Sequence, residues 1–211
     1  MKRCIIVGAG EFFPDCRIEK RPGDLVIAAD GGYQYLKSMN IRPDLLVADF
    51  DSLTCEAPED VPVMRFKSEK DDTDMGIAIA EGIRRGYKRF DLYGGTGGRA
   101  DHTFANYQAL VNLARQGMRG HLVGNGWLAT AVSDSSVFLR PLEGGTVSVF
   151  AMDNRCEGVS ICGLKYEVDC APLSNDFPLG VSNELIGRPA SISVERGTLL
   201  IFCPIDSLTE N

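Results

Sequence analysis

Four short apolar runs, each breaking off at an aspartate or a glycine, constrain this chain more than any other feature. Cys4-Ile5-Ile6-Val7 stops at Gly8, Leu25-Val26-Ile27-Ala28-Ala29 at Asp30-Gly31-Gly32, and Leu45-Leu46-Val47-Ala48 at Asp49. Phe90, Leu92 and Tyr93 mark a fourth run, which enters Gly94-Gly95-Thr96-Gly97-Gly98-Arg99-Ala100-Asp101-His102. Continuous apolar runs of this length fit strands buried on both faces, as in a parallel sheet. Met75, Ala78, Ile79, Gly82 and Ile83 fall on one helical face, in a helix expected to begin near Asp72 or Thr73 and stop at Gly86. Phe104, Tyr107, Leu110, Val111 and Ala114 form a second stripe that stops at Gly117. The acidic and glycine-rich motifs therefore lie just past the carboxyl ends of strands, where open α/β sheets hold ligands.

The chemistry of those motifs points to phosphate and a metal. Glycines let main-chain N–H groups approach phosphate oxygens, because no Cβ intervenes. Arg99 adds a planar fork of donors. Two carboxylate clusters lie upstream, Asp49-Phe50-Asp51-Ser52 and Asp71-Asp72-Thr73-Asp74. Carboxylates repel one another and repel phosphate, by roughly 4 kcal/mol per pair at ~4 Å and an effective dielectric of about 20. A bridging divalent cation, Mg²⁺ by its preference for oxygen donors, resolves that repulsion. The residues read as a metal-dependent nucleotide or polyphosphate enzyme.

Beyond about Gly126 the pattern changes to short β-branched and aromatic runs: Val137 to Leu139, Thr146 to Phe150, Ile192 to Val194 and Leu199 to Phe202. This half reads as a small antiparallel sandwich or barrel, with the boundary near residue 125. A net charge of −7 argues against a nucleic-acid backbone as the main partner. No apolar run approaches the length of a membrane span, and no signal-peptide cleavage region follows the first residues. The seven cysteines form no C-x-x-C pairs, so reduced thiols in a cytoplasm are expected rather than zinc or disulfides.

Each motif also has a plainer reading. Ile6-Val7-Gly8-Ala9-Gly10 lacks the third glycine of a dinucleotide fingerprint and reads as a tight turn whose amides still border a nucleotide. Asp30 either caps the next helix or faces a ligand. Asp49 and Asp51 converge on a cation or form a polar turn. Asp71 and Asp74 exceed what one helix cap requires. His102 is either a base or a first-turn residue beside Phe104, and Trp127 is either core or pocket lining.

In order and spacing, the motifs resemble those of the thiamine pyrophosphokinases. That family shows A-D-G-G, P-D with G-D-x-D-S, an acidic K-x-x-D-x-T-D stretch, G-x-x-G-G-R-x-D-H, G-L-K-Y and S-N-E. The chain carries Ala29 to Gly32, Pro43-Asp44, Ala48 to Ser52, Lys70 to Asp74, Gly94 to His102, Gly163 to Tyr166 and Val181 to Glu184. Ala48 stands where the family has glycine. The resemblance spans nearly the whole chain. It implies an N-terminal parallel-sheet α/β nucleotide-binding domain (1–125) and a C-terminal antiparallel β-sandwich domain for thiamine (126–211).

It further implies transfer of the pyrophosphoryl group of ATP to thiamine, with Mg²⁺, in a homodimer with active sites at the subunit interface. Asp49, Asp51, Asp71 and Asp74 would belong to the metal. Asp30, Gly31, Gly95, Gly97, Gly98, Arg99 and His102 would take the nucleotide. Asp71, Asp101 and Arg99 would serve catalysis, one of the two aspartates accepting a proton. Ser182 and Asn183 would recognise the aminopyrimidine of thiamine. The rival readings are another Mg-dependent kinase, a nucleotide pyrophosphatase, or a nucleotide sensor without turnover.

Overall fold

The computed structural model describes residues 2–13, 17–49, 61–66 and 72–209, with residues 49 and 66 described in their main chain only. Two compact units emerge, Met1–Asn106 with Leu122–Gly124, and Tyr107–His121 with Asn125–Asn211.

In the first unit the apolar runs become strands β1 (Cys4–Val7), β2 (Leu25–Ala29) and β3 (Leu45–Asp49), joined by β4 (Val63–Phe66) and β5 (Arg89–Tyr93). Helix α1 (Gly32–Ser38) follows β2, α2 (Asp74–Arg84) follows β4, and α3 (Ala100–Arg115) follows β5. The strands pair in parallel in the order β5-β1-β2-β3-β4, with Cys4 opposite both Leu25 and Phe90. Every residue of β1 and β2 is buried, as strands covered on both faces must be. Ile5, Val7, Val26 and Ala28 pack with Leu36 of α1. A Cβ on Gly82 of α2 would fall 2.8 Å from Cys4 Sγ and 2.6 Å from a Phe90 ring carbon. Neighbouring residues along a strand point to opposite faces, so α1 and α2 cover opposite sides of the sheet.

Helix α2 starts and ends where its residues direct. Thr73 is the N-cap, its Oγ1 accepting the Gly76 N–H at 3.0 Å. Gly86 closes the other end in the left-handed region at φ 83°. Near the amino end of the sheet, Arg3 donates to Asp24 at 2.7 Å and to Asp91 at 3.1 Å, all three residues being buried.

Strand β6 (Arg119–Val123) leads into the second unit, where β7 (Trp127–Ser133), β8 (Ser136–Leu139), β9 (Glu143–Ala151) and β10 (Cys156–Cys162) follow in turn. Strands β11 (Val168–Leu173), β12 (Gly180–Ile186), β13 (Ala190–Ser193) and β14 (Thr198–Pro204) complete it. In this unit the strands pair antiparallel in the orders β12-β9-β14-β7 and β11-β10-β13-β8. Val147, Val149, Leu199 and Ile201 of the first share a core with Val159, Ile161 and Ile192 of the second. This is a sandwich, the first of the two readings of the sequence.

On the outer face of β14, Phe202 meets Tyr107, Trp127 and Phe150, with ring centroids 5.2 to 5.8 Å apart. Trp127 thus belongs to an aromatic cluster. Phe104, expected in the buried stripe of α3, is instead 57% exposed; the stripe proper is Leu110, Val111, Leu113 and Ala114. Among the described residues, no helix is long and apolar enough to cross a membrane.

Candidate active site

Strands β1, β2 and β5 all end at a cleft of about 360 Å³. Gly8 to Gly10 follow β1, Asp30 follows β2, and the glycine turn follows β5; Thr73, Asp74 and Met75 open α2, while His102 and Asn106 come from α3. Among its described residues the loop after β1 does not enter a helix. It runs beside the glycine turn, with Gly8 N–H donating to Tyr93 O, Gly10 N–H to Gly94 O and Glu11 N–H to Thr96 O. A Cβ on Gly10 would come within 2.6 Å of two of the turn's carbonyl oxygens. Close approach of two backbones, rather than a dinucleotide fingerprint, explains these glycines. The same holds at Gly32, where a Cβ would fall 1.9 Å from the Val7 carbonyl oxygen.

The turn itself is braced through its carbonyls. Gly94 O is held by Gly10, Gly95 O by the Asn106 side chain at 2.7 Å, and Thr96 O by Glu11. The N–H groups of Gly95, Thr96 and Gly97 donate to no described protein acceptor. Gly97 and Gly98 follow in the left-handed region at φ 79° and 64°. The turn then delivers Arg99, whose carbonyl accepts from Thr103 N–H and so opens α3. Unused N–H groups beside the positive end of a helix form a ready anion site.

Arg99 and Asp101 pair bidentately, Nε to Oδ1 at 3.1 Å and Nη2 to Oδ2 at 2.6 Å. The guanidinium holds the Asp101 carboxyl down at about 2. Asp101 also accepts from the His102 N–H at 3.0 Å, and His102 is exposed. Asp30 takes the left-handed conformation at φ 50° and is not the cap of α1; that position is Gly31, which makes no side-chain cap bond. The capping alternative for Asp30 therefore falls away, and the residue lines the cleft with Asp74.

Of the expected metal residues, Asp51 and Asp71 lie outside the described residues. Asp49 ends β3, with only its main chain described. Among the described residues, no group of three acidic, histidine or cysteine side chains comes together.

Ser182 and Asn183 lie on β12, in the second unit. Ser182 is exposed at φ 61°. Asn183 is buried and points at its own chain: Oδ1 accepts from Tyr166 N–H at 3.0 Å, and Nδ2 donates to Tyr166 O at 2.6 Å. Leu164 bridges to Leu185, and Lys165 pairs with Glu184 at 2.7 Å. The Gly163 to Tyr166 and Ser182 to Glu184 motifs are thus two sides of one strapped turn.

A parallel sheet covered on both faces, with a turn of unused N–H groups at its carboxyl edge, together with a β-sandwich, defines an α/β protein with an anion-ready cleft. Comparison with known proteins narrows this class. Residues 20–122 match the model of the thiamin pyrophosphokinase catalytic domain, and residues 136–199 match that of the thiamin pyrophosphokinase vitamin B1 binding domain. Thiamine pyrophosphokinase of Bacillus subtilis is 25% identical over 214 residues, covering 98% of this chain and all of that protein. The crystal structure of the Bacillus subtilis enzyme superposes with a TM-score of 0.87 at 24% identity, covering 97% of this chain and 100% of that one. That of thiamin pyrophosphokinase from Geobacillus thermodenitrificans gives 0.84 at 27% identity, covering 97% and 98%. The chain belongs to the thiamine pyrophosphokinase family, and so to the pyrophosphotransferase kinases.

Proposed function

We propose that this chain moves the β,γ-pyrophosphoryl group of ATP onto the hydroxyethyl oxygen of thiamine, releasing AMP. Residues 1–125 hold ATP and metal, and residues 126–211 hold thiamine. The observation that carries this reading is the cleft itself: Arg99, Asp30, Asp74 and a turn whose N–H groups have no described protein acceptor all border one cavity. Oxygen donors of that kind suit Mg²⁺, which Asp49, Asp51, Asp71 and Asp74 would hold. When bound, the metal neutralises charge on the polyphosphate.

Gly95, Gly97, Gly98 and Arg99 receive the phosphates, with Asp30, Gly31 and His102 completing the nucleotide site. Positioning and electrostatics dominate. The alcohol oxygen attacks the β-phosphorus in line, and the bond from that phosphorus to the α-phosphate oxygen breaks. The alcohol's proton passes to a carboxylate. Asp101 is a weak acceptor while Arg99 holds it down at about 2, so Asp71 takes this role unless polyphosphate draws Arg99 away. Ser182 meets the aminopyrimidine, and Asn183 contributes by fixing the turn at Tyr166. We place the enzyme in a reducing cytoplasm, in keeping with its five free thiols among the described residues, and as a homodimer with shared active sites.

An end-point assay with ATP, Mg²⁺ and thiamine tests the reading. Equal amounts of AMP and thiamine diphosphate, abolished by a chelator, are expected. ADP in place of AMP would mean single-phosphoryl transfer, and intact ATP would leave the sensor reading.

A further inference from the structure

Asn106 of α3 is a buried polar side chain that shares the space beside Gly95 with the apolar Leu122 and Met75. It is 6% exposed, and a Cβ on Gly95 would lie 2.6 Å from Leu122 Cδ1, 3.1 Å from Asn106 Nδ2 and 3.5 Å from Met75 Cε. Asparagine is a poor residue for a helix interior, and an unpaired buried amide is costly. Among the described residues its single side-chain hydrogen bond is Nδ2 to Gly95 O, while the residue borders the cleft.

We infer that Asn106 is a positioning residue that sets the donor geometry of the glycine turn, an inference that rests on reading this turn as the polyphosphate site. The Gly95 carbonyl and the Thr96 N–H belong to one planar trans peptide, in which they point in opposite directions. Fixing the carbonyl therefore fixes the N–H. The carbonyls on either side, Gly94 and Thr96, are held by main-chain donors that no side-chain substitution removes. Gly95 alone is held by a side chain. Gly95 also lacks a Cβ to restrict its torsions, so without the amide this peptide is the first to rotate. The ligand class is a polyanion with several phosphoryl oxygens, because the donors it aims are main-chain N–H groups.

The test uses inorganic tripolyphosphate with Mg²⁺, titrated calorimetrically into the wild type, Asn106→Leu and Asn106→Asp, alongside KM values for ATP and thiamine. Asn106→Leu should bind tripolyphosphate about tenfold more weakly, the scale of one lost buried hydrogen bond, and raise KM for ATP but not for thiamine. Asn106→Asp should lose affinity near neutral pH and regain it relative to wild type as the pH falls, when the introduced carboxyl protonates and again donates to Gly95. That pH profile decides the matter even if the leucine variant fails to fold. Wild-type affinity in Asn106→Leu, no recovery in Asn106→Asp, or a parallel rise of both KM values would overturn the inference. A wild type that binds tripolyphosphate yet forms no thiamine diphosphate would overturn the proposed reaction instead, while the ratios between variants still decide the role of Asn106.

Discussion

The two ends of the parallel sheet use the same residue types for opposite ends. At the amino end, Arg3 donates to Asp24, Asp91 and the Glu19 carbonyl, with Arg3 and Asp24 side chains only 10% and 2% exposed. At the carboxyl end, Arg99 and Asp101 make an equally short pair with side chains 70% and 65% exposed. Charges withdrawn from water persist only where each donor and acceptor is met. A pair left in water gains little from its partner, and so can exchange it for a ligand. Burial, not charge type, separates the structural pair from the one we propose for phosphate.

Breaking the buried pair should have the largest effect. Arg3→Leu strands the buried Asp24 carboxylate, while Asp91 keeps Arg89 beside it at 3.5 Å, at a cost of about 3–5 kcal/mol. Denaturant unfolding should show the loss, and the folded fraction should keep its KM for ATP. A variant as stable as wild type would mean that water already reaches Asp24 and Asp91. Adding Asp24→Leu to Arg3→Leu should restore part of the stability, because one stranded charge is removed with its partner.

Arg99→Lys comes next, and its effect should fall on activity alone. Lysine keeps the charge but loses the fork that spans two phosphate oxygens. Turnover over KM for ATP should drop on the order of a hundredfold, as when a transition-state donor is lost, with an unchanged unfolding midpoint. Ordinary ATP kinetics would remove Arg99 from the phosphate site.

The same division governed what the sequence could tell. Strands buried on both faces are legible because Cys4 to Val7 and Leu25 to Ala29 are apolar throughout. The cap at Thr73 and stop at Gly86 are local signals, and both are where the pattern puts them. Contacts across the sequence are not legible in this way. The glycines at positions 8 and 10 are visible, but not that they press against Gly94 and Thr96. Asn106 reads as one more polar position on α3, because its partner lies eleven residues back in a turn. Phe104 fits the helical stripe by spacing, yet it lies on the first turns of α3, at the cleft end of the helix, and is exposed. The polar groups of Asn183 suit a substrate ring on paper; their main-chain partners at Tyr166 appear only in three dimensions.

The smallest effect concerns two carboxyls that sit equally low. Glu81, 4% exposed, is held at about 2 by two hydrogen bonds from Arg84, with Arg85 adding a third. Asp101 is held at about 2 by Arg99, but in water. Both folded values lie below the unfolded ones, near 4. Each carboxyl therefore contributes stability that is present above about pH 4 and lost as the pH falls toward about 2. Solvent screens the exposed pair, so most of its share disappears at physiological salt. Glu81→Gln should consequently lower the unfolding midpoint near neutral pH and flatten its fall between about pH 4 and 2. Asp101→Asn should leave that acid slope as in wild type. Should Asp101→Asn flatten the slope as much as Glu81→Gln, the exposed pair would be holding structure too, and burial would no longer separate the two ends of the sheet.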